Sequence, residues 1–244
     1  MYFSTGTEIW IGGHESAGVT EPSHEWYLAE GATGSFFTTF VLLANPNTAP
    51  ANVDITYFPA TGSPVYKPSF VLAGNQRLTL NLALEDPSLA DAAIATRVVA
   101  DAPILVERAQ YWPNPFPRWY EAHNSFGVTS LGTRWGLAEG RVGGPESYQT
   151  YILLANPGTT DAEVTVTFLR ESGAPLEHVV TVAAGRRFNV AVDGAPGGIG
   201  LHDEKFGALI TSTQPIAVER ALYGDATGQV WQMGTNAVGT RLPQ

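Results

Sequence analysis

Several short runs of the chain alternate apolar and polar residues with a period of two. Val53, Ile55 and Tyr57 are interleaved with Asp54 and Thr56, and Val164, Val166 and Phe168 with Thr165 and Thr167. This is the pattern of a strand with one face on a core. Leu78, Leu80 and Leu82 continue it one strand later, as do Phe188, Val190 and Val192. FVLLA (40–44) and YILLA (151–155) are apolar on both faces, which marks a central strand covered on both sides. Pro103 and Pro215 precede ILVERA and IAVERA, where a proline at the first residue of a strand is tolerated. No segment holds a 3.6-residue period, although LEDPSLADAA (84–93) has room for a helical turn. Short strands separated by Gly, Pro and Asn turns predict an all-β fold of tandem β-sandwich modules, jelly-roll or immunoglobulin-like, each of about 100 residues.

The strands come in two sets. WYLAEGATGSFFTTFVLLANP (26–46) returns as WGLAEGRVGGPESYQTYILLANP (135–157). Trp26, Glu30 and Asn45 are thus matched by Trp135, Glu139 and Asn156, and Glu107-Arg108 by Glu219-Arg220. Self-similarity of this kind is read before any local feature. A third frame, W-x3-H-x-S-x-G, closes the first copy at Trp119, His123, Ser125 and Gly127 and stands alone at the N-terminus as Trp10, His14, Ser16 and Gly18. At the C-terminus Trp231 and Gly239 keep the frame while Thr235 and Ala237 replace the His and Ser. The expected organisation is a tail of a preceding repeat over 1–22, a first sandwich over 23–131 and a second over 132–244. The alternative for 1–22 is strand addition to a neighbouring chain.

Composition narrows the function classes. The 244 residues carry a net charge of −10, and lysine occurs only at Lys67 and Lys205. An acidic chain without a basic cluster is a poor partner for nucleic acid. No apolar run is long enough to cross a membrane as a helix. With no cysteine, disulfides, thiolate metal sites and a cysteine nucleophile are excluded. MYFSTGTEIW lacks the basic and apolar regions of a signal peptide, so a secretion signal is expected outside this segment.

Each candidate for chemistry has a plainer counterpart. Glu30 and Glu107, with Glu139 and Glu219, are carboxylates fixed in both copies, and a pair some 5–9 Å apart would suit glycoside hydrolysis. The plainer reading is a structural marker, one carboxylate buried against Arg108 or a backbone amide, with Gly31 and Gly140 supplying the turn that follows. The H-x-S-x-G frame lacks the strand-to-helix context of a nucleophile elbow, and a hydrogen-bonded His–Ser pair closing a hairpin explains it better. His14, His24, His123, His178 and His202 are scattered without metal-ligand spacing. The acidic loops Glu85-Asp86-Asp91 and Asp193-His202-Asp203-Glu204 offer oxygens to calcium, or are simply solvated; no other cofactor is expected. Tyr111, Trp112, Phe116, Trp119 and Tyr120 crowd one Pro-rich stretch, and Trp10 and Trp231 hold the Trp119 position elsewhere. Exposed aromatic faces stack on sugar rings, so Trp10, His14, Tyr111, Trp112, Trp119, His123 and Trp231 form the candidate ligand-binding set. Burial in a core or at a module junction is the competing account.

W-x-LAEG, the LLANP strand, P-I-x-VERA and the W-x3-H-x-S-x-G tail resemble a repeat, little over a hundred residues long, found in tandem in large secreted or surface-anchored bacterial proteins. Met1-Tyr2-Phe3 looks like the remainder of the PMYF sequence that follows the Glu-Arg strand in that family. A fainter resemblance is to the sensory rhodopsin transducer family, small β-sandwich proteins with a W-x-x-AEG start. These resemblances imply a jelly-roll-like sandwich, an extracellular or cell-surface setting, and neighbouring repeats, polysaccharide or self-association through the N-terminal tail as partners. The function expected is a non-catalytic spacer or adhesive array. A carbohydrate-binding module is the alternative, and a hydrolase the third reading.

Overall fold

The computed structural model describes residues 2–5, 8–113, 119–192, 199–226 and 229–243, with side chains from residue 13 onward except at 226 and 229. The chain divides into two compact units, Met1–Ser130 and Leu131–Gln244. Most of the described residues are in strands, and none is in an α-helix.

In the first unit β1 (Tyr2–Thr5) and β2 (Glu8–Gly13), among the described residues, pair only with each other. The sandwich is built from β3 (Ser23–Leu28), β4 (Thr38–Asn45), β5 (Ala51–Pro59), β6 (Val65–Leu72), β7 (Gln76–Asn81), β8 (Ile94–Trp112) and β9 (Glu121–Phe126). One strand organises it. The first half of β8 pairs with β3 and β5, and β6 lies outside β5. The second half, from Leu105, pairs with β4 and β9, and β7 lies outside β4. β8 therefore belongs to both layers. The sequence pattern predicts short strands here, with Pro103 at the start of one. Instead, Pro103 sits inside a 19-residue strand at the corner where β8 leaves one layer for the other. A proline has no N–H to give a ladder, so the corner is the one place in such a strand that suits it.

The second unit follows the same pairing pattern. It comprises β10 (Gly132–Val142), β11 (Gln149–Asn156), β12 (Ala162–Arg170), β13 (Leu176–Val182), β14 (Arg186–Val192), β15 (Glu204–Ala226), β16 (Gln229–Val238) and the short β17 (Thr240–Arg241). β15 pairs with β10 and β12 in one layer and with β11 and β16 in the other; β13 lies outside β12, and β14 outside β11. Pro215 occupies the corner of β15 as Pro103 does that of β8. β17 pairs with Trp135 and Gly136, and in the first unit Val128 bridges Tyr27 at the same place.

The alternating positions fill the cores as the period of two requires. Val53, Ile55 and Tyr57 are buried against Leu43, Val98 and Val106, and Val164, Val166 and Phe168 are buried in the second unit. Trp26 and Trp135 are buried whole, and each indole N–H is satisfied by a nearby carbonyl: Trp26 donates to Ile104 O at 3.0 Å and Trp135 to Gly132 O at 3.0 Å. Asn45 Nδ2 donates to Ala49 O and Leu72 O, and Asn156 Nδ2 to Thr160 O and Val182 O. Each side chain closes one turn and ties down the end of the next hairpin, which explains an asparagine at the end of both strands.

Two local expectations are corrected and one is met. Phe188 is exposed although it shares a period with buried Val190 and Val192; Arg187 turns inward beside it. Residues 84–93 do hold a helical turn, in 3₁₀ form: one turn spans Pro87–Leu89 and another, Leu82–Leu84, leads into the segment, capped by Asp86 and Asn81 respectively. Gly31 and Gly140 are not turn residues. A Cβ at Gly31 would stand 2.8 Å from Ile94 O, and one at Gly140 would enter the Phe206 ring, so close approach demands the glycine.

Candidate functional site

The interior of the first unit turns polar at one end. Along β8, Ile104 and Val106 face inward, and the same face continues through Arg108, Gln110 and Trp112, all almost wholly buried. Across the ladder they meet Ser125, His123 and Glu121 of β9. Glu30, just beyond β3, comes into this space from the other layer. Arg108 Nη2 lies 2.7 Å from Glu30 Oε2, and His123 Nε2 lies 3.4 Å from Glu30 Oε1. Arg108 Nη1 also donates to the Glu30 carbonyl at 3.3 Å. Removing two charges from water is costly, and mutual attraction with hydrogen bonds is what offsets it. The backbone after Glu30 is held by Thr39, whose Oγ1 accepts from Ala32 N at 3.1 Å beside Gln110 Oε1. Thr150 holds the Arg141 backbone in the same way. Neither threonine stands out in the sequence, yet both precede the paired FVLLA and YILLA runs, a signal the repeat comparison contains.

Glu107 and Glu30 do not converge. Alternation puts Glu107 on the face of β8 opposite Arg108, whereas Glu30 lies inside against that arginine. In the second unit Glu139 reaches Arg220 Nη1 at 2.9 Å, but its side chain is 65% exposed against 4% for Glu30. Glu219 is buried. The two copies of the framework therefore hold matching carboxylates in unlike surroundings.

The N-terminal segment lies against this end. His14 Nε2 is 3.1 Å from Asn124 O, Asn124 Nδ2 donates to Ser16 Oγ at 2.9 Å, and the His14 and His123 rings are 5.9 Å apart. The two H-x-S-x-G frames thus meet. No hydrogen bond joins His123 to Ser125, contrary to the expected hairpin closure: Ser125 Oγ is buried without a hydrogen-bond partner among the described residues, and His123 faces Glu30 and packs on Trp112. Burial, helped by the neighbouring His123, holds the His14 imidazole below its usual value.

Glu121 stands at the rim of the same face, and desolvation pushes its carboxyl up to about 7, partly opposed by the Ala122 N–H. The folded unit therefore binds this proton more tightly than the unfolded chain, whose value is about 4.5. Stability from this group is complete below about pH 4.5 and declines as pH rises to about 7. Glu121→Gln should remove that decline and stabilise the unit at pH 8 by about 1–2 kcal/mol, the full linkage value being reduced for a half-buried group. Urea melts of both proteins at pH 5 and pH 8 check it; a parallel offset at the two pH values would refute it.

The candidate binding aromatics separate into two kinds. Trp112 is fully buried between Phe37 and His123, and His123 is itself buried, so neither offers a face to a ligand. That corrects their place in the binding set. Tyr111 and Trp119 pack at 4.5 Å on the outer side of the sheet, with Phe40 at 5.9 and 6.3 Å. In the second unit Tyr223 and Trp231 stack at 4.6 Å, with Tyr151 at 6.0 and 5.9 Å. Both trios are internal to their unit and half-buried or buried. The Trp10 side chain and Phe116 lie outside the described residues.

Among the described residues no group of three or more His, Asp or Glu is placed to hold a metal ion. In the first acidic loop Glu85 receives Lys67 Nζ at 2.5 Å, and Asp86 receives the Ser88 N–H. In the second, Asp203 receives Gly144 N and Glu204 is paired with Arg170; Asp193 lies outside the described residues. No described helix is long and apolar enough to cross a membrane.

No family model matches the sequence, and no curated protein matches it. Among solved structures the chain is similar to Thermotoga maritima 1070, with 16% identity and a TM-score of 0.39 over 46% of this chain and 96% of that one. It is also similar to the Anabaena sensory rhodopsin transducer, with 18% identity and a TM-score of 0.32 over 37% of this chain and 91% of that one.

Proposed function

We propose that the chain is a non-catalytic piece of a tandem β-sandwich array, a spacer or adhesive stalk of a secreted or surface bacterial protein. One observation carries the reading: both units use one pairing pattern and the same fastenings, the Trp26 and Trp135 indoles and the Asn45 and Asn156 turns. The groups a reaction would need are not repeated in that way, since Glu30 is buried and Glu139 exposed, and His123 is answered by Thr235. Selection for a framework with variable chemistry suits modules that extend reach and multiply weak contacts.

Pulling the full chain by its ends tests the modular reading. Two separate unfolding events are expected, each releasing about 35–40 nm at roughly 3.5 Å per residue. A single event would overturn it. The second reading, carbohydrate binding by the tail aromatics, is favoured by the repeated Tyr–Trp pairs at 4.5 and 4.6 Å. It expects polysaccharide binding that Trp119→Ala abolishes.

A further inference from the structure

The end of the sandwich that is packed shut in the first unit is open in the second. There, a cleft of about 610 Å³ runs between β10, the end of β12, β15 and β16. Ladder register shows how it arises. Trp112 pairs with Glu121 in the first unit, and the corresponding pair in the second is Gly224 with Met233. Gln110 with His123 becomes Leu222 with Thr235. An indole and an imidazole have been exchanged for a hydrogen atom and a small hydroxyl, so the polar plug is gone while the framework stays. Leu222, Met233 and Thr235 line the space vacated.

We propose that this cleft binds a neutral saccharide. It rests on neither the array reading nor the tail aromatics. The volume lies within the range of small-molecule sites, and the lining is of two kinds. Phe206, Leu222, Met233 and Tyr148 present apolar surface, and the Tyr148 ring is held by the Arg141 guanidinium 4.1 Å above it. Around them stand acceptors, Glu139 and Glu171, and donors, Arg141, Arg170, Lys205 and Thr235. A pyranose ring needs that combination, because each hydroxyl both donates and accepts while the C–H face is apolar.

The charge balance separates this ligand from an anion. Arg141 and Arg170 are paired with Glu146 and Glu204, and Glu139 with Arg220. Among the described residues Glu171 and Lys205 have no ion-pair partner, so the cleft offers one free carboxylate and one free ammonium. A phosphate or uronate would gain from Lys205 but face Glu139 and Glu171; a neutral polyol can use all three.

Isothermal titration of the full 244-residue chain with neutral oligosaccharides of gluco, xylo, manno and N-acetylgluco configuration tests the assignment. Saturable binding of at least one is expected. Gly224→Trp, which restores the plug of the first unit, should abolish it, and Glu171→Ala and Lys205→Ala, at exposed positions that leave the fold alone, should each weaken it roughly tenfold. Trp119→Ala should leave it unchanged. The assignment is overturned if none of the panel binds, if binding survives the Glu171 and Lys205 changes, if Trp119→Ala removes it, or if an acidic oligosaccharide binds more tightly than every neutral one.

Discussion

Glu30→Ala is expected to cost the first unit about 3–5 kcal/mol, while Glu139→Ala at the matching position of the second costs about 1 kcal/mol or less. The two carboxylates occupy the same place in the same motif and each faces an arginine. What differs is water. Arg108 is 0% exposed and Glu30 4%, so removing the carboxylate leaves a guanidinium in a medium that cannot solvate it. The Glu139 carboxylate is 65% exposed, and its attraction is screened before any mutation is made. Deleting both partners of the buried pair, as in Glu30→Leu with Arg108→Met, should recover most of the loss, because an apolar pair of similar volume carries no desolvation cost. Denaturant melts combined with hydrogen exchange, which assigns the loss to a unit, provide the measurement. Equal losses at Glu30 and Glu139 would show that burial is not what sets the strength of the pair.

Trp26→Ala should remove a further 3–5 kcal/mol or so from the first unit, the range for truncating a buried aromatic. The indole is fully buried, lies 6.3 Å from the Phe126 ring and gives its N–H to Ile104 O and Ser23 O. It thus joins the start of β3 to the corner of β8. Trp26→Phe keeps most of the apolar contact but leaves the Ile104 carbonyl without this donor, and should cost about 1–3 kcal/mol. If Phe were as damaging as Ala, the hydrogen bonds rather than the packing would be the dominant part. Trp135→Ala should do to the second unit what Trp26→Ala does to the first.

The repeat comparison made the framework legible. Trp26 and Trp135, Asn45 and Asn156, and Arg108 and Arg220 all proved to be buried residues with fixed partners. Periodicity located β5 and β12 because a half-buried strand writes its burial directly into the sequence. It could not show that β8 and β15 each serve two layers: a corner costs no change in alternation, and Pro103 reads equally well as a strand start. Nor does sequence distance reveal facing. Trp112 and Trp119 sit in one aromatic cluster of the sequence, yet one fills the interior and the other packs outside. The open cleft was within reach. Thr235 in place of His123 is visible, but the exchange of Trp112 for Gly224 matters more, and its meaning depends on knowing that position to be interior.

The two-layer strand also sets an order of events. Leu28 pairs with Thr96, Ala44 with Leu105 and Val53 with Ala100, so β3, β4 and β5 all wait for Ile94–Trp112 before they are joined into layers. Among the described residues of the first unit, only the β1–β2, β5–β6 and β4–β7 pairs can form earlier. A chain emerging from the ribosome therefore carries alternating, half-apolar strands with open edges until the last third of the unit appears. Such non-local closure places folding in the millisecond-to-second range. It also makes the unfinished unit, not the finished one, the species most exposed to aggregation.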